Sequence, residues 1–377
     1  MFKLLVFFGT RPEVIKLAPV ILKLKKIANV QTVVVNTGQH RELTDAAIEA
    51  FSLHIDHNLC VMNTDQTLSA LTANLLTHFA GLIETEKPDL IMVQGDTATA
   101  FTASLLGYYH QIPVAHVEAG LRSYDKFHPF PEEFNRQAIG FLADWHFAPR
   151  EEDATHLLNQ GCTPNRVFTV GNTIVDALHY MLSHKKPKHM RSEESLKIEE
   201  LSQKHKIVLI TAHRRENFGL PLKSICKSIL QLAEMNRDVY FLFCVHLNPN
   251  VQKTVYELLA GQENIILSLG FSYIDFIFIM SYTYCILTDS GGIQEEAAVL
   301  HKPTLVLRKT TERHEGIRVG IAKLVGSDSK LIINECNQLL NDPHAYKSML
   351  NPQARYIYGD GTASKKIIET LSPLWEK

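Results

Sequence analysis

The sequence lacks an excess of charge of either sign. Lysine and arginine total 38 residues and aspartate and glutamate total 40, so the formal net charge is −2. No global field therefore attracts nucleic acid or an acidic membrane surface, and any recognition of phosphate must be local. A hydrophobic run of membrane-spanning length is also missing, and the apolar start at residues 4–8 is too short for a signal peptide. We therefore expect a cytoplasmic protein that binds neither nucleic acid nor membranes.

Paired cysteines are missing too. The six cysteines are scattered without a C-x-x-C pair, and several lie in apolar stretches, as buried free thiols do: Cys60, Cys162, Cys226, Cys244, Cys285 and Cys336. The rest of the composition, 45% hydrophobic and 21% charged, is ordinary for globular domains with full cores. A chain of 377 residues has room for roughly two or three domains.

Buried strands alternate with helices along most of the chain. The predicted strands lie at residues 4–8, 32–35, 90–93, 114–117, 145–147 and 167–170, and then at 207–211, 239–245, 284–287 and 304–308. Between these two groups, residues 183–206 are polar and rich in lysine, which indicates a solvated linker or a surface helix. The alternation predicts an α/β protein of two Rossmann-like domains, each with a parallel sheet covered on both faces, facing one cleft.

The turn Ser290-Gly291-Gly292 is a candidate anion site. It follows a short buried strand and precedes residues 293–300, which have helical spacing. The first N–H groups of a helix are unpaired and lie at the positive end of its dipole, and glycines let a phosphate approach the backbone. Glu296, one helical turn further, suits neutral hydroxyls better than a second phosphate, so the stretch fits a sugar nucleotide. An ordinary strand-to-helix turn is the alternative.

The other loops at strand ends divide by charge. In a parallel sheet such loops surround the ligand. Those of the second half carry phosphate-binding side chains: His213, Arg214, Arg215 and Arg313. Those of the first half carry carboxylates: Asp96, Glu118, Glu132 and Glu133. Cations stabilise a diphosphate leaving group, and carboxylates in a closed cleft exchange protons, so one domain is predicted to hold a nucleotide and the other to act on what is attached to it.

Several of these candidates have a structural alternative, and so does His246, in the loop after the strand at residues 239–245. The alternatives are a helix cap for Asp96, an ion pair with Arg122 for Glu118, an acid in the first turn of a helix for Glu132, a solvated charge run for residues 213–215 and a loop cap for His246.

Seven motifs resemble the non-hydrolysing UDP-N-acetylglucosamine 2-epimerases. They occur in family order over essentially the whole chain, at residues 8–13, 95–97, 116–122, 131–136, 213–217, 288–296 and 310–313. The resemblance implies a glycosyltransferase-B-like fold whose last helix crosses back to the first domain. We accordingly predict an N-terminal domain of residues 1–172 plus 362–377, which carries the carboxylates, and a UDP-binding C-terminal domain of residues 173–361.

The resemblance also implies a reaction, the reversible inversion at C2 that interconverts UDP-GlcNAc and UDP-ManNAc without NAD, any other cofactor or a metal. UDP and the C2 proton leave to give a 2-acetamidoglucal, and both then add back. The product would supply ManNAc-type precursors for cell-surface polysaccharide, and the protein would be a homodimer. An inverting glycosyltransferase and a sugar-nucleotide sensor remain the alternatives, although a transferase needs an acceptor and a pure anion sensor would not collect carboxylates.

Matching positions carry the family's roles onto this chain. The catalytic set is Asp96, Glu118, Glu132 and His213. The substrate-binding set is Arg11, Lys16, Arg136, Phe276 (its backbone toward uracil), Ser290, Gly291, Gly292, Glu296 (toward ribose) and Arg313. An activating second UDP-GlcNAc would bind at Gln39, His40 and His246. The sequence departs from the family pattern at Ala212, Gly270, His314 and Leu43-Thr44.

Overall fold

The structure, a computed structural model, describes residues 1–39, 41–62, 66–183 and 191–376. Contacts divide the chain into two compact units, the first made of Met1–Tyr180 with Tyr358–Lys377 and the second of Met181–Ile357. The predicted domain boundaries, at residues 172 and 361, stay a prediction, because a division by contacts does not test independent folding. Among the helices of the described ranges, each is too short or too polar to cross a membrane.

The first unit is built on a parallel sheet of seven strands in the order β3-β2-β1-β4-β5-β6-β7. The strands are β1 (Phe2–Phe8), β2 (Val30–Asn36), β3 (His57–Asn58), β4 (Leu90–Gln94), β5 (Val114–Val117), β6 (Trp145–Ala148) and β7 (Val167–Thr169). The helices are α1 (Arg11–Leu24), α2 (Arg41–Phe51), α3 (Leu68–Glu86), α4 (Ala98–Tyr109), α5 (Glu132–Leu142), α6 (Glu151–Asn159) and α7 (Thr173–Ser183), with the last helix, α16, described below.

Strand β1 is the centre of this sheet. Its residues from Leu4 to Phe8 are fully buried, as expected for a strand covered by helices on both faces. It pairs with β2 on one side and with β4 on the other, where Leu4 is in register with Leu90. The chain order reverses between β1 and β4, so the loops that follow these two strands diverge and leave a crevice at the carboxyl edge of the sheet.

The second unit repeats this architecture with six parallel strands in the order β10-β9-β8-β11-β12-β13. The strands are β8 (Lys206–Thr211), β9 (Val239–Cys244), β10 (Ile265–Ser268), β11 (Cys285–Thr288), β12 (Thr304–Val306) and β13 (Ala322–Leu324). The helices are α8 (Glu193–Ser202), α9 (Leu220–Met235), α10 (Pro249–Leu259), α11 (Tyr273–Tyr282), α12 (Gly291–Val299), α13 (His314–Arg318), α14 (Ser329–Asn341) and α15 (Pro343–Met349). Here the order reverses between β8 and β11, and their last residues are joined by the hydroxyls of Thr211 and Thr288, 2.6 Å apart.

The C-terminal helix α16 (Ala363–Leu371) belongs to the first unit, where it packs on α1. Asp176 of α7 accepts hydrogen bonds from the backbone N–H groups of Ala363 (3.2 Å) and Ser364 (2.9 Å). A carboxylate at these first N–H groups satisfies donors that a helix leaves unpaired and interacts favourably with its dipole. This contact fixes where the returning chain enters the first unit.

The predicted fold class, an α/β protein with two Rossmann-like parallel sheets, is confirmed. Helix α8 forms within the polar stretch 183–206, where Ser192 caps it by accepting from the N–H of Ser195 at 3.1 Å. The prediction missed the strands β3, β10 and β13, because edge strands of two to four residues are too short for a periodic pattern. Helix α12 begins at Gly291, two residues before the predicted start, since neither glycine of that turn needs a positive φ.

Candidate active site

Glu13 links the loops that follow β1 and β4 in the first unit. Its carboxylate accepts from the N–H groups of Gly9 (3.0 Å) and Thr10 (2.8 Å) and from the hydroxyl of Thr97 (2.6 Å). Burial raises the pKa of Glu13, and these hydrogen bonds oppose the rise. A Cβ on Gly9 would lie 2.0 Å from Thr37 Oγ1, so only glycine fits there. The predicted capping box at Thr10 and Glu13 therefore also connects the loop after β1 to the loop after β4 through hydrogen bonds.

Glu118 stands directly after β5 and is 8% exposed. Its φ of 63° is in the left-handed region, which costs a residue with a Cβ about 1 kcal/mol. Glu118 Oε2 accepts from Lys16 Nζ, 2.5 Å away, and from the side-chain amide of Gln94. The alternative pairing with Arg122 is wrong, because that side chain donates to the Leu121 carbonyl (2.6 Å) and belongs to a separate cluster. Glu118 is thus a buried carboxylate beside a cation.

Asp96 follows β4 and forms an ion pair with Arg136 of α5. Burial raises the pKa of Asp96, the charge of Arg136 acts against this rise, and Glu132 adds to it. The proposed role of Asp96 as helix cap is wrong, because Thr97 is the N-cap of α4 and accepts from the N–H of Ala100 at 3.1 Å. The raised pKa suits a carboxyl group that takes up and returns a proton.

Glu132 and Glu133 open α5, but only one of them is exposed enough to reach a ligand. Glu132 is half-buried in the first turn, where the structural alternative also placed it. Glu133 is fully buried and accepts from the N–H groups of Ser123 (2.9 Å) and Tyr124 (3.2 Å). Burial would raise the pKa of Glu133, but these hydrogen bonds outweigh it and the pKa is lowered. Glu133 therefore anchors the loop before α5. Glu132 instead lies close enough to Asp96 for its negative charge to raise the pKa of the Asp96 carboxyl.

The remaining predicted residues of the first unit are Arg11, Gln39 and His40. Arg11 is the first residue of α1, directly after the cap Thr10. Gln39 follows β2, and its Oε1 is buried without a hydrogen-bond partner among the described residues. His40 lies outside the described residues, and the side chain of the departing position Leu43 does too. Of the predicted activator residues, Gln39 and His246 lie within the described part of the chain.

Asp289 holds together the two strand-end loops of the second unit. Its Oδ2 accepts from the N–H groups of His213 and Arg214, each at 2.9 Å, and from the side-chain amide of Asn217 at 2.8 Å. Its Oδ1 lies 3.1 Å from Nδ1 of the His213 ring. Burial would raise the pKa of Asp289, but the contact with His213 and the N–H donors outweigh it, so the pKa is lowered. An ionised, fully buried carboxylate thus sits where β8 and β11 end.

His213 also contacts His246 in the loop after β9. The two rings stack with centroids 5.5 Å apart and planes 18° apart. Burial and the neighbouring His213 lower the pKa of His246. His246 Nδ1 accepts from the N–H of Asn248 at 3.1 Å, which confirms the loop-capping role considered for it. Residues 213–215 are therefore more than a solvated charge run, because the histidine is held by an aspartate on one side and a ring on the other.

The N-terminus of α12 lies beside Asp289. Ser290 is its N-cap residue, but the serine side chain makes no capping hydrogen bond. The first N–H groups of the helix therefore do not donate to the Ser290 side chain. A Cβ on Gly291 would lie 3.2 Å from Glu312 Oε1, whereas a Cβ on Gly292 would meet nothing within 4 Å. Gly292 therefore leaves room for a close approach to the N-terminus of this helix, which is the end of a helix that binds anions.

The middle of α12 anchors a loop that carries Arg313. Arg313 Nε donates to Glu295 Oε1 over 2.5 Å, and its N–H donates to the Thr311 hydroxyl at 3.1 Å. That hydroxyl donates in turn to Gln294 Oε1 at 2.9 Å. These contacts hold the arginine near Gly291, whose ideal Cβ would lie 3.9 Å from the guanidinium carbon.

Glu296 and Phe276 lie on the α11 side of the second unit. Glu296 is 7% exposed and accepts a hydrogen bond from the hydroxyl of Tyr273 at 3.3 Å. The backbone N–H of Phe276 donates to the Ser272 carbonyl at 2.9 Å, within the first turn of α11. The N–H of Phe276 is therefore occupied within the protein.

The structure groups the predicted residues into two sets, one in each unit. The first set contains Asp96, Glu118, Glu132, Lys16 and Arg136, and the second contains His213, His246, Ser290, Gly291, Gly292 and Arg313. Three residues that support them were not assigned a role from the sequence: Gln94, Asn217 and Asp289. Glu133 is one of the carboxylates predicted at the strand ends, and in the structure its side chain accepts from the backbone of Ser123 and Tyr124. For Asp289 a signal existed, since a lone acid immediately after a buried strand points into the loops of the switch point.

The protein is of the α/β, glycosyltransferase-B-like class. This class is defined by the order of the strands in the two sheets, by the reversal of that order between β1 and β4 and between β8 and β11, and by the acidic and phosphate-binding groups that follow the strands. The sequence profile of the UDP-N-acetylglucosamine 2-epimerase family matches residues 22–372. The chain belongs to this family, whose members are isomerases.

Individual relatives are similar over their whole length. The UDP-N-acetylglucosamine 2-epimerase of Neisseria meningitidis serogroup A is 44% identical over 369 residues, which are 98% of this chain and 99% of the relative. The crystal structure of the Neisseria meningitidis enzyme bound to UDP-GlcNAc has a TM-score of 0.90, with 43% identity over 99% of this chain and 100% of that one. A UDP co-structure of the S. aureus protein has a TM-score of 0.87, with 40% identity over 100% of this chain and 97% of that one.

Proposed function

We propose that this chain interconverts UDP-GlcNAc and UDP-ManNAc by eliminating UDP and adding it back. The observation that carries the proposal is a pair of carboxylates at the strand ends of the first unit, the buried Glu118 and the half-buried Asp96, each held by a cation. A binding protein for a dianion gains nothing from such acids, whereas a proton-transfer enzyme needs them. The relative from Neisseria meningitidis, crystallised with UDP-GlcNAc, supports the choice of substrate.

The chemistry needs a strong leaving group because the C2 hydrogen is not adjacent to a carbonyl. A carboxylate of the first unit removes the C2 proton while the C1–O bond breaks and UDP leaves with the electron pair, which gives a C1–C2 double bond. In the second half, a carboxyl group returns a proton to C2 from the opposite face and UDP attacks C1. Atoms and electrons balance without a redox step. We assign the proton transfers to Asp96, Glu118 and Glu132.

The second unit would hold UDP. The N–H groups at the start of α12 and the ring of His213 offer donors to the diphosphate, and Arg313 adds a positive charge nearby. Glu296, with one oxygen bonded to the Tyr273 hydroxyl, suits the ribose hydroxyls. The proposal also includes Arg11 beside the diphosphate, Lys16 and Arg136 along the sugar, and the Phe276 backbone toward uracil.

The wider setting follows from family membership. We propose a cytoplasmic homodimer whose product is a ManNAc-type precursor of cell-surface polysaccharide. A second UDP-GlcNAc bound through Gln39, His40 and His246 would activate the enzyme. Such an activator can shift the protein only by as much as its affinity differs between the two states of the protein.

One experiment tests the reaction directly. The protein is incubated with UDP-GlcNAc alone in heavy water, and proton NMR spectra are recorded over time. We expect deuterium at C2 in both sugars together with the appearance of UDP-ManNAc. A folded protein that leaves the spectrum unchanged would refute the proposal, and turnover that begins only after an acceptor is added would instead indicate a glycosyltransferase.

A further inference from the structure

The contact between Asp289 and His213 has a chemical consequence beyond holding two loops together. Asp289 is 0% exposed, so each of its oxygens needs a hydrogen-bond donor inside the protein. Three donors converge on Oδ2, whereas Oδ1 has no full hydrogen bond among the described residues and faces only Nδ1 of His213 at 3.1 Å. Two bare acceptor atoms at that distance would repel each other, so Nδ1 must carry a hydrogen.

We infer that Asp289 is a positioning residue that fixes the His213 ring with its hydrogen on Nδ1 and turns Nε2 toward the ligand. A carboxylate at Nδ1 also stabilises the ring when it is protonated on both nitrogens, and a phosphate oxygen at Nε2 does the same. The stacked ring of His246 restricts the rotation of His213 about its own side chain. The inference rests on the proposed function, since the ligand at Nε2 would be the diphosphate of the departing UDP.

The geometry of Asp289 makes this arrangement testable with a nearly isosteric change. In Asp289→Asn the remaining carbonyl oxygen can still accept from the N–H groups of His213 and Arg214. The new amide NH2 would then face Nδ1, and a donor in that place requires a bare nitrogen. The ring hydrogen would move to Nε2, and the charge that stabilises the protonated ring would be lost. In serine proteases a wrong histidine tautomer of this kind strongly reduces turnover.

The first measurement needs no substrate. Histidine is labelled with 15N, and the coupling pattern of each ring shows which nitrogen carries the hydrogen, with His213→Gln identifying the signal. We expect hydrogen on Nδ1 in the wild type and on Nε2 in Asp289→Asn. The control Asn217→Ala removes a donor to the same carboxylate without touching the ring, and should leave the tautomer as it is. Hydrogen on Nε2 in the wild type would overturn the inference, even if Asp289→Asn failed to fold.

The second measurement is a double-mutant cycle on turnover. We expect Asp289→Asn to lower kcat on the order of 10²-fold with a smaller change in KM. In a His213→Gln background the same change should lower kcat by less than about threefold, because Asp289 acts through the ring. Independent, multiplying effects would show a merely structural role. A wild type that binds UDP but does not exchange C2 deuterium would refute the proposed reaction, while the tautomer result would still decide the Asp289 inference.

Discussion

Lys16 Nζ lies 2.5 Å from Glu118 Oε2, and both side chains are almost fully buried, at 12% and 6% exposure. The contact joins the middle of α1 to the end of β5, where Glu118 holds a left-handed backbone conformation. A cation beside a buried carboxylate offsets much of the cost of removing that carboxylate from water. Lys16 therefore stabilises a buried carboxylate in a place where stability alone would favour an apolar residue.

Lys16→Met should expose this dependence. Methionine fills similar space without charge, so Glu118 would be left buried with Gln94 as its remaining partner, and the free energy of unfolding should fall by about 3 kcal/mol at neutral pH. Urea unfolding measures the loss. Lys23→Met, at an exposed position of the same helix, is the matched control and should change stability by less than about 0.5 kcal/mol. Adding Glu118→Gln to Lys16→Met should recover most of the loss, and no recovery would show that the two residues are not coupled.

The carboxylates themselves should separate chemistry from binding. Asp96→Asn, Glu118→Gln and Glu132→Gln keep the shape of each side chain but remove its proton transfer, so each should lower turnover roughly 10²-fold or more. Because UDP is assigned to the second unit, calorimetry should find UDP affinity nearly unchanged in at least one variant. Glu151→Gln, an exposed acid at the start of α6, serves as control. Parallel losses of UDP affinity and turnover in all three variants would make these acids structural.

Substitutions of the two glycines at the start of α12 should distinguish an effect on the fold from an effect on UDP binding. Gly291→Val places a side chain where the diphosphate would approach the backbone, and its Cβ would already lie 3.2 Å from Glu312 Oε1, so UDP binding should collapse. Gly292→Ala meets nothing within 4 Å and has no positive φ, so the fold should be kept or slightly stabilised. If phosphate approaches this turn, Gly292→Ala should nevertheless weaken UDP binding. Gly81→Ala, in an equally open helical position of α3, should stabilise by about 1 kcal/mol without affecting UDP.

The sequence predicted the features that follow from local patterns of residues. It did not predict the roles of residues that depend on contacts between segments distant in the sequence. The central strands, such as β1, are continuous apolar runs, and the capping box at Thr10 and Glu13 follows from spacing alone. The role of Glu133 does not, because nothing in the string of letters distinguishes it from Glu132 until the loop at Ser123 folds over it. Asp289 is similar, since its importance comes from two loops that are distant in sequence and meet at the sheet edge. The assigned catalytic and binding roles stay predictions.

Activation by substrate should appear in the kinetics if the activator site is kept. We expect a sigmoidal dependence of the rate on UDP-GlcNAc, and a reaction from UDP-ManNAc that stays slow until a trace of UDP-GlcNAc is added. Gln39→Ala should remove the sigmoidicity, and it is a cleaner change than His246→Ala, because the His246 ring also stacks on His213. Hyperbolic kinetics without a lag in the wild type would indicate that the departure at Leu43-Thr44 accompanies a lost activator site.

Acid should destabilise the first unit through two buried histidines. His116 and His146 are in register on β5 and β6, and Nε2 of His116 lies 2.7 Å from the Gly95 carbonyl oxygen and donates to it. Burial lowers the pKa of His116 to about 3 and that of His146 to about 4, from an ordinary value of 6.5. The folded state thus keeps both rings neutral, while the unfolded chain takes up protons once the pH falls below about 6.5.

The sign of the effect follows from this difference in bound protons. Stability should be fully present above pH 6.5 and should fall as the pH decreases toward 4, by about 1 kcal/mol per pH unit for each histidine. Urea unfolding at pH 7, 6 and 5 measures the slope, and His146→Gln should reduce it by about half by removing one of the two titrations. His110→Gln, at an exposed position after α4, should leave the slope as it is. A slope that is the same in His146→Gln and in the wild type would mean that this ring is already protonated in the folded protein, or that other groups control its acid unfolding.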